Sequence, residues 1–331
     1  MSINQMSCST VLFFICYFKP MTIFWIIFLL LVIGMLALDL GVFHKEDKII
    51  SVKEAFLWTG IWISVSLIFS IGIFFIYHYQ DAALGAEKVL EYLTAYVVEK
   101  SLSLDNIFVM AAIFSFFKVP KKYQHRVLFW GILGAIVLRG IFIFAGTALI
   151  VKFSWLMYVF GVLLIVSAIK MGISKEDHDE DLSKNFAVKI AKKFYRVTPT
   201  FHGHAFTVII DGVRHITPLL LALIVIETSD VMFAVDSIPA VFSVTLDPFI
   251  VFTSNIMAIL GLRSLYFALS AMLGKFVYLK YALVFILAFV GVKMIIVHYV
   301  HIPTLLSLSV ILLSITISIL ASFLKGKEIE Q

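Results

Sequence analysis

An apolar run that starts at Leu219 and continues past Val241 holds three carboxylates, Glu227, Asp230 and Asp236. A run of that length and character is a membrane span. Each charge at the bilayer centre costs about 2.5–3.5 kcal/mol on insertion scales, so three on one helix must face protein rather than lipid. Pro239, in the same run, removes a backbone donor and tends to kink or break a helix. Irregular backbone at membrane depth is tolerated only where it is buried in protein or lines a cavity. The run predicts a cation site inside a helical bundle.

The rest of the chain fits that frame. Hydrophobic residues make up 62% and charged residues 14%, with a mean hydropathy of +1.05, whereas a soluble domain carries about 25% charged residues. The predicted fold class is an all-α polytopic membrane protein, because the apolar runs are too long and continuous for barrel strands. The pattern gives nine spans, at 22–43, 55–77, 91–117, 127–151, 155–173, 218–244, 249–273, 281–300 and 303–324. The net charge of +5 belongs to loops that set orientation, which excludes nucleic acid as the partner. Cys8 and Cys16 are both N-terminal, so no disulfide framework or thiolate metal site is available.

The organisation follows from these runs. Residues 1–20 form an N-terminal extension that lacks a small-residue cleavage site, and Met21 is an alternative start. Residues 21–173 make a first membrane half with spans one to five, and residues 217–324 a second half with spans six to nine. Between them lies a loop, 174–216, and residues 325–331 form a tail. Alternate connections carry the lysines and arginines, among them Lys45, Lys118, Lys122, Arg126, Lys184, Lys193, Lys275 and Lys325. The positive-inside rule then places the N-terminus outside and the loop and C-terminus in the cytoplasm.

Within the loop, residues 175–181 are an acidic run, 184–196 have helical amphipathicity, and 204–216 alternate around Asp211-Gly212, a hairpin signal. The acidic run is a solvated stretch before it is a cation trap. His202 and His204, without further ligands, are surface histidines before they are a metal site.

The two halves resemble one another. Val98-Glu-Lys-Ser-Leu-Ser-Leu-Asp-Asn-Ile-Phe108 in span three is echoed by Ile226-Glu-Thr-Ser-Asp-Val-Met-Phe233 in span six, and Arg139 in span four by Arg263 in span seven. Lys152-Phe153 and Lys170-Met171 recur as Lys275-Phe276 and Lys293-Met294, both 123 residues later. A three-span repeat enters the membrane from opposite sides. Such a 3+3 inverted-topology repeat is a recurrent architecture of secondary transporters, with the ion site at the repeat interface.

The candidate site draws on spans three and six: Glu99, Asp105 and Asn106, then Glu227, Asp230 and Asp236. All are oxygen donors, which suit Mg²⁺, Ca²⁺ and Mn²⁺, whereas zinc and copper favour nitrogen or sulfur. Glu227 and Asp230 share a helix face. Asp236 is about half a turn away and joins them only if the helix opens near Pro239. Arg139 and Arg263 are the charge-balancing partners. Five carboxylates against two guanidinium groups leave an excess that a divalent ion or protons would neutralise. Metal and protons competing for one set of carboxylates would give antiport. The alternative is a buried ion-pair network that serves packing alone. Asp39, near the end of span one, is a possible gate or an ordinary interfacial aspartate. No catalytic residue is assigned, and no resident cofactor is called for. An intramembrane aspartyl protease would need a Gly-x-Gly-Asp motif, which the sequence lacks.

Glu99-Lys-Ser-Leu-Ser-Leu-Asp-Asn106, Thr217-Pro-Leu-Leu-Leu-Ala222, Glu227-Thr-Ser-Asp-Val-Met-Phe-Ala-Val-Asp-Ser-Ile-Pro239 and Leu38-Asp-Leu-Gly-Val-Phe-His44 resemble motifs of the TerC/Alx family of integral membrane proteins. The resemblance implies a manganese exporter of the bacterial inner membrane, with the bilayer, a divalent ion and protons as its partners. It implies ligand roles for Asp105, Asn106, Glu227, Asp230 and Asp236, and less directly for Glu99. A non-transporting scaffold or assembly protein is the competing expectation.

Overall fold

The computed structural model describes residues 21–38, 51–79, 81–173, 196–270, 278–297, 299–300 and 302–329. It is almost wholly helical. The first helix, α1 (Met21–Leu38), forms a unit of its own. Asp39 and the acidic run 175–181 lie outside the described residues, as do residues 184–195 of the amphipathic stretch.

The second unit begins with α2 (Val52–His78), α3 (Ala82–Phe116), α4 (Lys121–Lys152) and α5 (Leu156–Ile173). It continues through three short strands to α6 (Pro218–Phe242), α7 (Pro248–Leu260), α8 (Leu262–Ser270), α9 (Leu279–Ile296) and α10 (Thr304–Ile329). Side-chain caps fix several starts. Ser51 accepts from the Glu54 amide, Asp81 from Ala83, and Asp247 from Phe249 and Ile250, each satisfying amides that a first helical turn leaves open. The Tyr77 hydroxyl donates to Asp247 Oδ2 at 2.7 Å and so ties the end of α2 to the start of α7.

Seven of the helices, α1 among them, are long and apolar enough to cross a membrane, and α7 with α8 makes an eighth as a bent pair. The remaining predicted span corresponds to α3, which is 35 residues long and carries Glu87, Lys88, Glu91, Glu99, Lys100 and Asp105. Span seven is broken rather than straight: α7 and α8 meet at Gly261 with a 41° bend. There Lys100 Nζ donates to the Ala258 carbonyl at 3.0 Å, an acceptor in the last turn of α7.

Helix α6 corrects a sequence expectation. It runs unbroken from Pro218 to Phe242 with Pro239 inside it. The proline falls in the last turn, where removing one backbone bond disturbs little of the helix beyond it. Asp236 therefore does not swing round to join Glu227.

The pairings that shape the interior are α3 with α6, α4 with α6 and α7, α3 with α7, and α5 with α9. Helices α5 and α9 approach so closely that a Cβ on Gly161 would stand 2.9 Å from the Gly291 carbonyl, and one on Gly291 2.8 Å from that of Gly161. Only hydrogen at both positions permits that contact.

The predicted hairpin is present: β2 (Thr207–Ile210) pairs antiparallel with β3 (Val213–Ile216). Asp211 and Gly212 both take positive φ, 50° and 74°, as a two-residue mirror-image turn requires. A third strand, β1 (Arg196–Val197), pairs parallel with β3. The segment between β1 and β2 rests on α4 through Arg126 over the Phe206 ring and Tyr123 beside Phe201.

Candidate cation site

The acidic residues of α3 and α6 divide into two groups. The first is organised by Arg139 of α4, which is 1% exposed. Its Nη1 pairs with Glu99 Oε1 and also donates to Ser237 Oγ at 3.2 Å and Asn255 Oδ1 at 3.3 Å. Its Nη2 reaches Asp230 Oδ1 at 3.4 Å. One guanidinium thus gathers groups from α3, α6 and α7. The network is incomplete: among the described residues, Glu99 Oε2, Asp230 Oδ2 and Arg139 Nε are buried without a hydrogen-bond partner.

The second group lines a cavity of about 50 Å³ among α3, α5, α6 and α9. Its polar wall is Glu99, Asp105, Asn106, Asp236 and Ser237; its apolar wall includes Met171 and Leu287. Ser167 of α5 donates to Asp236 Oδ1 at 2.8 Å. Lys280 of α9 and Lys170 of α5 are the cations whose fields reach Asp105 and Asp236 respectively. Glu99 belongs to both groups, with one oxygen on Arg139 and the other unpartnered.

The structure therefore brings Glu99, Asp105, Asn106 and Asp236 to one cavity and sends Asp230 and Glu227 elsewhere. Asp230 turns to Arg139. Glu227, half-buried, lies against α4 at Gly134, where a Cβ would collide with its carboxylate. The reason is periodicity: at about 100° per residue, Glu227 and Asp236 project from opposite sides of an unbroken helix. The six predicted ligands are thus not one coordination shell. Among the described residues, no three His, Cys, Asp or Glu side chains form a group able to hold a metal ion. Arg263 is 1% exposed on α8, buried like its counterpart Arg139. His202 points at Thr198 and Thr200, with Nε2 at 3.4 and 3.2 Å from their hydroxyls, as a surface histidine does.

Sequence reasoning missed Ser167 and Asn255. Both were detectable in principle, since a hydroxyl and an amide inside apolar spans are the same kind of expensive residue as the carboxylates. On the sequence Lys170 marks only the repeat, and Lys280 reads as a loop charge.

A profile of the Integral membrane protein TerC family matches residues 84–329, which include every residue of both groups. The chain belongs to this family. Among relatives, an uncharacterized membrane protein, STKORF319, of Myxococcus xanthus is 48% identical over 92% of each chain. The putative membrane-bound redox modulator Alx of Photorhabdus laumondii is 47% identical over 84% of this chain and 88% of its own. An uncharacterized membrane protein of Rickettsia bellii is 42% identical over 93% of this chain and 99% of its own. No solved structure matches the chain. This TerC-family protein is an integral multi-pass membrane protein.

Proposed function

We propose that the protein exports a divalent cation across the bacterial inner membrane, Mn²⁺ ahead of Ca²⁺ or Mg²⁺, in exchange for protons, and that it is not an enzyme. The observation that carries this is the intramembrane cavity with its all-oxygen polar wall and the unpartnered Glu99 oxygen. A buried carboxylate oxygen with no donor is costly, and a cation relieves it. About 50 Å³ exceeds the roughly 10–15 Å³ that a single water needs, so an ion fits with part of its hydration shell. Hard divalent ions take carboxylate and neutral oxygens together with water; Asp105 and Asp236 supply the carboxylates here, with Asn106 and Ser237 as neutral oxygens. Carboxylates that must be neutralised by either an ion or protons couple the two.

Helix packing supports the repeat as well. Exchanging α3 with α6, α4 with α7 and α5 with α9 turns the α3–α7 contact into the α6–α4 contact, and both exist. With an inverted repeat the cavity lies at the repeat interface, where alternating access operates. The orientation set by the basic loops, N-terminus outside, belongs to the same proposal.

The second reading is a scaffold, and the Arg139 network favours it, since a guanidinium joining three other helices specifies packing whether or not ions move. A redox role, the term in the name of the Alx relatives, would rest for thiol chemistry on Cys8 and Cys16, the only cysteines. The deciding experiment is Mn²⁺ flux into proteoliposomes with and without a pH gradient, for wild type, Asp105→Asn and Asp236→Asn. Flux that needs both aspartates and moves protons in step supports exchange. Absence of flux from folded wild type in either gradient direction leaves the scaffold.

A further inference from the structure

Arg139 stands between the cavity and Asp230, and its bonding is unfinished on both sides. Glu99 and Ser237 line the cavity and both bond Nη1. Among the described residues, Asp230 is held by the 3.4 Å contact to Nη2 alone. The buried atoms left over are complementary: Arg139 Nε is a donor, and Asp230 Oδ2 and Glu99 Oε2 are acceptors. A guanidinium and a carboxylate pair best as two parallel bonds. A small shift of Arg139 toward Asp230 would make such a pair and satisfy the Nε donor and the Asp230 oxygen together. Nη1 would keep Ser237 and Asn255 as acceptors, which stand at 3.2 and 3.3 Å. Glu99 would then face the cavity with both oxygens.

Resting on the transport reading above, we propose that Arg139 is a tethered counter-cation that changes partner during the cycle. It shares Glu99 and Asp230 in the arrangement seen here, and closes as a two-bond pair on Asp230 when the ion takes Glu99. On release, Arg139 returns to Glu99 and displaces the ion from that carboxylate. Arg139 and Asp230 are positioning residues here, and neither touches the transported ion.

The test is concentration-dependent Mn²⁺ flux in proteoliposomes for wild type, Asp230→Asn, Arg139→Gln and the double variant. Asp230→Asn leaves Arg139 nowhere to go, so KM should rise by about 10-fold or more, the lower range for residues that support a metal site, while the maximal rate changes less. Arg139→Gln should lower both KM and the maximal rate, since nothing competes for Glu99 and nothing expels the ion. In the Arg139→Gln background, Asp230→Asn should no longer raise KM. An equal rise in both backgrounds would make Asp230 a direct ligand and overturn the proposal. If Arg139→Gln does not fold, Arg139→Lys decides. A lysine cannot form the two-bond pair, so KM should match that of Asp230→Asn; kinetics like wild type overturn the idea. Wild-type protein without flux fails the transport reading itself, and the partner exchange falls with it.

Discussion

The two sides of helix α6 carry the same kind of residue and put it to different use. Toward α4, Glu227 lies over Gly134 and Asp230 meets Arg139. Toward α5 and α9, Asp236 meets one serine hydroxyl and a cavity. On composition alone the three acids are equivalent, each about as costly to insert as the next. What packs opposite them decides the difference. A guanidinium supplies a counter-charge within bonding reach of Asp230, whereas Lys170 acts on Asp236 through its field, and Ser167, Met171 and Leu287 leave room. A buried acid with its own cation is part of the framework, and one facing a cavity is available to an ion from outside.

That contrast can be broken in four ways. The largest effect is expected from Arg139→Met, which strands Glu99 and Asp230 as buried charges; losing one partner of a buried pair costs about 3–5 kcal/mol. Thermal unfolding in detergent should show a large loss, and a stability near wild type would mean that these acids are not framework. Next, Asp105→Asn and Asp236→Asn should do the reverse. Flux should fall by about 10–100-fold or more, judged against the cost of changes around metal sites, with unfolding little changed. Comparable destabilisation in both sets would erase the distinction between the two sides.

Gly134→Ala should cost about 1–3 kcal/mol as an overpacking change, because the new methyl lands on the Glu227 carboxylate. The loss should largely vanish in Gly134→Ala/Glu227→Ala; if the two costs simply add, Glu227 does not occupy that groove. The smallest effect is expected from Ser167→Ala. It removes one hydrogen bond from Asp236, worth about 0.5–1.5 kcal/mol net for a typical intramolecular bond. The readout is a modest change in Mn²⁺ KM at unchanged maximal rate, and a serine that only packs would leave KM alone.

Much was fixed by the sequence through one rule, that polar groups at membrane depth are too expensive to be accidental. It located α3 and α6 as the special helices, singled out Arg139, and marked Glu99, Asp105, Asn106 and Asp236 before any contact was known. Turn chemistry did the same locally, since Asp211-Gly212 between alternating residues has few alternatives to a hairpin. The bend at Gly261 was not legible, because what packs there, Trp62 and Lys100, comes from other helices.

Tertiary structure alone decided how the acids are shared. Periodicity places Glu227 and Asp236 on opposite sides of any unbroken helix, but whether Pro239 breaks α6 depends on its surroundings. Helix α6 stays whole, and so a single predicted ligand shell becomes an ion-paired framework and an oxygen-lined cavity joined by Glu99. Insertion cost is a property of each residue and can be read along the chain. Charge compensation is a property of pairs brought together from distant positions, and only folding chooses the pairs.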